Sequence, residues 1–168
     1  TETTGLDSMQ AKLVGISLAT KAGQAGYIPV GHDYADCPEQ LDVNLVLKKL
    51  KPWLEDPKQQ KVGQNLKFDL HIFNNHGIRM RGIAHDTLLQ SYVLESHRKH
   101  DMDSLAQRHL GIKTTSYDEI TGKGINRISF SKVDLNVARD YAAEDADITL
   151  RLHDYMWPLL EREPKLTY

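Results

Sequence analysis

Cysteine is nearly missing. Cys37 stands alone, so no internal disulfide can staple the chain, as suits a reducing cytoplasm, and a buried apolar core must hold it together. No apolar run approaches the ~20 residues that cross a bilayer; the longest, LVGISLA (13–19), has the length of a buried strand. The residues as read show no charged-then-apolar leader, so neither secretion nor a membrane partner is expected. Repeats, low-complexity stretches and linkers are also absent from the sequence. Nor is there a surplus of positive charge: 21 Lys and Arg face 23 Asp and Glu, a formal charge of −2. That balance excludes a grip on duplex nucleic acid by bulk electrostatics; any such contact must be local or borrow the charge of another domain. What is present, 168 residues of which 40% are hydrophobic and 26% charged, suffices for one globular domain with a sizeable core.

The apolar pattern divides the chain into elements. AKLVGISLA (11–19) reads as a buried strand, KAGQAG (21–26) as a turn and YIPV (27–30) as the partner strand. This hairpin follows a strand that ends near Glu2. Leu41, Leu45, Leu47, Leu50 and Leu54 recur close to helical period. KVGQ (61–64) reads as a short strand, and 65–77 as a helix with Asn65 as its N-cap and Gly77 just past its end. RGIAHD (81–86) is strand-like, and DTLLQSYVLE (86–95) is helical with an Asp-Thr start. SLAQRHLG (104–111) opens with Ser104 and Gln107 at capping-box spacing and stops at a glycine. From about Val133 to Leu160 a long helical pattern carries Val137, Tyr141, Ile148, Leu152, Tyr155 and Leu159. Strands lead, strand and helix then alternate, and helices close the chain, which predicts an α/β domain with a mixed sheet.

Three carboxylates stand out. Asp69 lies four residues after Asn65, at the start of its helix, and Asp145 lies four residues after Tyr141, so the latter two share a helical face. Glu2 ends the first strand. Each has a bland reading: Asp69 favours a helix N-terminus, and Asp145 in AAEDAD (142–147) belongs to a run that suits a solvated face. His97, His100 and His109 have no zinc spacing with the single cysteine. TGKG (121–124) lacks the first glycine and the Ser/Thr of a phosphate-binding loop. Taken together, hard oxygen ligands from separate elements suit Mg²⁺ or Mn²⁺. Two such ions about 3.5–4 Å apart can clamp the attacking and leaving oxygens of a phosphodiester.

KVGQNLKFDLHIF (61–73), RGIAHDTLLQSYVLE (81–95), HDMDSLAQRHLG (100–111) and YAAEDADITLRLH (141–153) resemble the proofreading 3′→5′ exonuclease domain of bacterial DNA polymerase I. That domain belongs to the tyrosine branch of the DEDD exonuclease superfamily. The resemblance covers essentially the whole of residues 1–168, read as a single domain. It implies a ribonuclease H-like fold, a mixed central β-sheet flanked by α-helices. In the family the first strand ends in Asp-x-Glu, whose two acids face one side because a strand has period two. TETTGLD matches from the x onward, with Thr1 as x and Glu2 as the second acid. The expectation is therefore a chain cut inside its first catalytic motif and impaired by the missing aspartate.

The resemblance implies further roles. Glu2 and Asp145 match ligands of the metal that holds the nucleophilic water, Asp69 supports the second metal, and Tyr141 orients the water. Thr3 matches a contact to the terminal nucleotide and Leu6 an apolar wedge against the last bases. Gln64, Asn65 and Phe68 line the strand path, and Tyr117 takes the place of an aromatic ring that meets a base. Core or surface packing is the competing reading for Leu6, Phe68 and Tyr117. Lys99 lies near a family arginine that touches phosphate; the loop here is one residue shorter, so Arg98 is the alternative. The implied cofactors are two divalent ions, Mg²⁺ or Mn²⁺, with Zn²⁺ admissible in one site. The implied partners are the 3′ end of single-stranded DNA and a polymerase domain in the same parent chain, into which EREPKLTY (161–168) would lead. The expected protein is a monomer of the bacterial cytoplasm, associated with the nucleoid, that releases nucleoside 5′-monophosphates. Competing readings are a non-catalytic single-strand-binding or scaffold module and a ribonuclease D-like exoribonuclease.

Overall fold

The computed structural model describes residues 1–163, so the last five residues of the hinge-like segment lie outside the described part. A hairpin forms where the alternation predicts it: β2 (Leu13–Lys21) and β3 (Gln24–Pro29) pair antiparallel. The turn is tighter than the KAGQAG stretch suggests. Lys21 pairs with Gln24, and Gly23, at φ +79°, supplies the left-handed residue that so short a connection needs. Leu13, Val14 and Ile16 are all buried, so β2 is covered on both faces. β1 (Glu2–Thr3) adds a third antiparallel strand, with Glu2 opposite Gly15 and Thr3 opposite Leu13.

A second pair, β4 (Lys61–Gly63) and β5 (Ile83–Asp86), runs parallel, joined by α2 (Leu66–Asn75) as crossover. The domain is α/β with both strand senses, as expected. The predicted central sheet is divided: three antiparallel strands and two parallel strands form separate ladders. β1 is only two residues long, too short to carry a continuous ladder from one set to the other.

α1 (Val43–Glu55) is capped by Asp42, whose carboxylate accepts from the Leu45 amide at 2.9 Å. It packs with β2 and α2 into the main core, which holds Ile16, Leu54, Ile72 and Phe73. α3 (Thr87–Glu95), α4 (Met102–Leu105) and the wider π-turn Ala106–Leu110 lie along the long α6 (Leu135–Glu161). Leu105, Ala106, Ile148, Leu152 and Met156 seal that side, each buried apolar side chain contributing roughly 1.5–3 kcal/mol if large. A third cluster joins Val14, Phe130, Val133 and Ala138 to the short α5 (Tyr117–Thr121).

Two expected caps are corrected. Asn65 does occupy the N-cap position of α2, but its backbone is left-handed (φ 56°, ψ 46°) and its side chain makes no capping bond. Asp86 does that work from β5: its carboxylate accepts from the amides of Asn65 (3.1 Å) and Leu66 (2.8 Å). The Ser104–Gln107 box is not formed either. Asp101 starts the helix earlier, accepting from both the amide and the hydroxyl of Ser104 at 2.9 Å. A reciprocal box forms instead at α5, between Ser116 and Glu119. Gly77, at φ +69°, ends α2 where predicted.

Candidate active site

The two strand sets and α6 enclose a cleft of about 970 Å³, and the sequence-predicted acids line it. Glu2 reaches the cleft from β1, held opposite Gly15. Beside it Thr3 is buried and donates its hydroxyl to the Gly5 carbonyl at 2.9 Å. Asp69 projects from the first turn of α2, whose start is fixed by Asp86. Asp145 comes from the middle of α6. Residues 67 and 143 positions apart in sequence from Glu2 thus share one wall.

The acids act on one another through their charges. Asp145 is pushed up to about 8, first by burial and then by the negative charge of Glu2, against the smaller opposing influence of the Tyr141 hydroxyl. Burial also raises Glu2; the Thr1 ammonium opposes this, and Asp69 adds to it. The Thr1 ammonium lies 2.7 Å from Asp69 Oδ1, and the Thr1 hydroxyl donates to the same oxygen at 2.6 Å. The hard oxygens of the three carboxylates on this wall suit a divalent cation. Among the described residues no three His, Cys, Asp or Glu side chains are drawn around a single point to hold an ion together. The acids share a field without forming a closed cage.

Tyr141 stands behind the lining. Its ring packs against Phe130 (centroids 5.9 Å) and Tyr117 (6.3 Å), one helical turn before Asp145 on α6. Burial, then the charges of Asp145 and Glu2, raise its pKa, so it is a neutral donor. Leu6 is 90% exposed, which rules out the core-packing reading and presents an apolar side chain to the cleft. Phe68 does both jobs: it packs on the main core and lines the cleft. Tyr117 likewise lines the cleft while its ring rests on Phe130. Gln64 and Asn65 lie on the same wall; Gln64 is fixed by donating to the His100 carbonyl at 3.0 Å and accepting from Thr87.

Lys99 is not brought to this cleft. It is exposed and lines a second, shallower one with Arg98. Conversely, the sequence reading missed Arg127, which lines the main cleft, pairs with Asp118 and lies 5.8 Å from the centre of the Tyr117 ring. Its approach depends on the loop folding back after Gly122 and Gly124, both at positive φ, and no spacing rule signals that. Asp103, in the first turn of α4, also acts on Asp145 through its charge and is a second residue that the sequence reading did not single out.

Comparison with known proteins shows the family. The family model described as 3′-5′ exonuclease matches residues 1–161. DNA polymerase I of Pseudomonas aeruginosa is 50% identical over 99% of this chain and 18% of its own length. DNA polymerase I of Rhizobium leguminosarum is 40% identical over 95% of the chain and 17% of its own length. The chain thus spans less than a fifth of these relatives. Among solved structures, Brucella melitensis NrnC superposes with a TM-score of 0.72 at 20% identity, covering 99% of this chain and 73% of that one. NrnC with bound Mg²⁺ gives a TM-score of 0.69 at 21% identity, over 99% of this chain and 73% of that one. At such identity the likeness shows the fold, which is ribonuclease H-like. Since the family match runs from Thr1 through α6 and takes in all three cleft acids, the chain belongs to the 3′-5′ exonuclease family, in the form found in bacterial DNA polymerase I.

Proposed function

We propose that this domain hydrolyses the last phosphodiester at the 3′ end of single-stranded DNA and releases a nucleoside 5′-monophosphate. The observation that carries the reading is that Glu2, Asp69 and Asp145, from β1, α2 and α6, line one cleft. Glu2 and Asp145 would hold one divalent cation and Asp69 a second, Mg²⁺ or Mn²⁺ at both or Zn²⁺ at one. When bound, such ions make hydroxide available near neutral pH and stabilise the leaving 3′ oxygen. Tyr141, a neutral donor one helical turn from Asp145, would orient the attacking water.

The strand would lie along the lining. Leu6 wedges between the last two bases, Thr3 sits at the terminal nucleotide, and Gln64, Asn65 and Phe68 follow the backbone. Tyr117 offers a ring for sequence-independent stacking. Arg127 on that ring adds a cation to a wall otherwise rich in acids. Lys99 contacts phosphate outside the main cleft. Frayed, mispaired ends would enter most readily, since melting them costs least. The domain would act as a monomeric unit within a longer cytoplasmic chain, at the nucleoid, with a polymerase domain as its partner.

The test is Mg²⁺-dependent mononucleotide release from end-labelled single-stranded DNA. It compares this chain with one carrying an aspartate before Thr1. That extension replaces the ammonium at Asp69 by a neutral amide and adds an acid beside Glu2. Release is expected at least tenfold faster in the extended form, since a charge aimed at the reacting phosphate acts on the transition state directly. Absence of Mg²⁺-dependent release from both forms would overturn the proposal. Preference for RNA ends would shift it to a ribonuclease.

A further inference from the structure

We propose that Tyr27, braced by His32, is a positioning residue that aims the Glu2 carboxylate into the cleft and so sets how tightly the acids hold a divalent cation. This rests on the exonuclease reading and deepens it. Gly15 of β2 stands opposite Glu2 on one side and Pro29 on the other, and Ser17 stands opposite Tyr27. Side chains two apart on a strand share a face, so Tyr27, Gly15 and Glu2 face the same way across three strands. A methyl group on Gly15 would overlap the ring and hydroxyl of Tyr27. The tyrosine therefore reaches across β2 and puts its hydroxyl where the side chain opposite Glu2 would begin. Directly opposite residues of an antiparallel pair stand ~4.5–5.5 Å apart at Cβ. The phenol is thus the cross-strand neighbour of Glu2. Burial first, and then the Glu2 charge, keep it neutral.

The hydroxyl is not free to turn away. It shares a hydrogen bond with His32 Nε2 at 2.8 Å. His32 is buried and locked through its backbone: its amide donates to Gln40 Oε1 at 2.9 Å, and its carbonyl accepts from Gln40 Nε2 at 2.8 Å. Its ring meets Phe130 at 5.8 Å between centroids, and Phe130 meets Tyr141 at 5.9 Å. One packed assembly therefore backs both Glu2 and the tyrosine proposed to orient the water. Burial, above all, lowers the pKa of His32. A neutral pair thus stands behind Glu2 and adds no positive charge to compete with a metal ion. Neither Tyr27 nor His32 is among the residues lining the cleft, so their effect on the reaction passes through Glu2. A carboxylate whose cross-strand neighbour is fixed loses less freedom when a cation binds.

The experiment titrates Mn²⁺ into this chain, with free ion counted by electron paramagnetic resonance. Mononucleotide release from single-stranded DNA is followed in parallel over a range of Mg²⁺. Tyr27→Phe keeps the ring and loses the hydroxyl. It is expected to weaken Mn²⁺ binding about fivefold, the net effect of one hydrogen bond, and to raise the Mg²⁺ needed for half-maximal release by the same factor. The KM for DNA at saturating Mg²⁺ should stay within about twofold. His32→Leu should match Tyr27→Phe, and His32→Gln, whose amide can take the place of Nε2, should restore the parent values. The Tyr27→Phe/His32→Leu double variant should be no weaker than the worse single one, as for two residues acting as a unit. Val46→Ala, which opens a gap in the main core, controls for lost stability and should leave Mn²⁺ affinity unchanged. Unchanged Mn²⁺ affinity in Tyr27→Phe overturns the positioning role, and so does a loss that Val46→Ala reproduces. A parent chain that binds no Mn²⁺ and cuts no DNA overturns the exonuclease reading with it.

Discussion

Asp145→Asn should abolish mononucleotide release, by about a thousandfold or more, and at the same time make the metal-free domain more stable at alkaline pH. The first effect follows if the carboxylate supports charge that develops at the reacting phosphate, where losing one such group costs ~3–4 kcal/mol in the transition state. The second follows from the field of the apo site. The pKa of Asp145 is pushed up to about 8, by burial first and then by Glu2, while its unfolded value is near ~4. A raised folded pKa means the folded state favours the protonated carboxyl. The associated stability is complete below about pH 4 and is lost as pH rises to about 8. Asparagine carries no charge to bury, so the variant escapes that loss. With chelator present, the two proteins should melt together at pH 4. At pH 8.5 the variant should be more stable by ~2 kcal/mol, a value discounted because Asp145 opens onto the cleft, or about 5 °C in Tm. Adding Mg²⁺ should raise the parent's Tm at pH 8.5 and the variant's much less. A variant less stable than its parent at pH 8.5 would show that Asp145 is held by favourable contacts and not against a repulsive field.

These opposing effects bear on what was legible in the sequence. Glu2, Asp69 and Asp145 could be picked out as hard ligands from separate elements, and the fold brings them to one wall. The existence of the hairpin, of both parallel strands and of the long closing helix also follows from local periodicity, because burial of one face sets that period. The misses share a cause. Asn65 has the composition of an N-cap, but a left-handed backbone turns its side chain away, and the carboxylate that replaces it comes from Asp86, 21 residues on. Ser104 could open a helix, but Asp101, three residues earlier, bonds its amide first. Arg127 reaches the cleft only because the chain returns over Tyr117. Lys99 is turned out to a second cleft by a loop whose course is set by Arg108. Nearest-neighbour rules describe which residues are able to cap or bind; contacts across the fold decide which of them do.

Asp86 makes that lesson testable. Besides the amides of Asn65 and Leu66 at the head of α2, its carboxylate accepts from those of Leu88 (2.9 Å) and Leu89 (3.4 Å) at the head of α3. One side chain therefore satisfies four amides at two helix starts and ties β5 to the turn that carries Gln64, Asn65 and Asp69. A single N-cap is worth ~1 kcal/mol, and charge-assisted bonds more. Asp86→Ala should therefore destabilise the domain by about 3 kcal/mol, read as a lower urea midpoint at unchanged slope. Asp42→Ala is the internal standard, since Asp42 caps only α1, through one bond to the Leu45 amide; it should cost ~1 kcal/mol. Asp86→Asn keeps one acceptor oxygen and should fall between them. The alanine variant should also lose activity under conditions where it is still folded, because the left-handed turn at Asn65 is held by the bond from its amide to Asp86 and is free to relax once that amide is released. That relaxation shifts the first turn of α2, and with it Asp69. If Asp86→Ala costs no more than Asp42→Ala, the two helix starts are held by their own packing and the placement of Asp69 does not depend on β5.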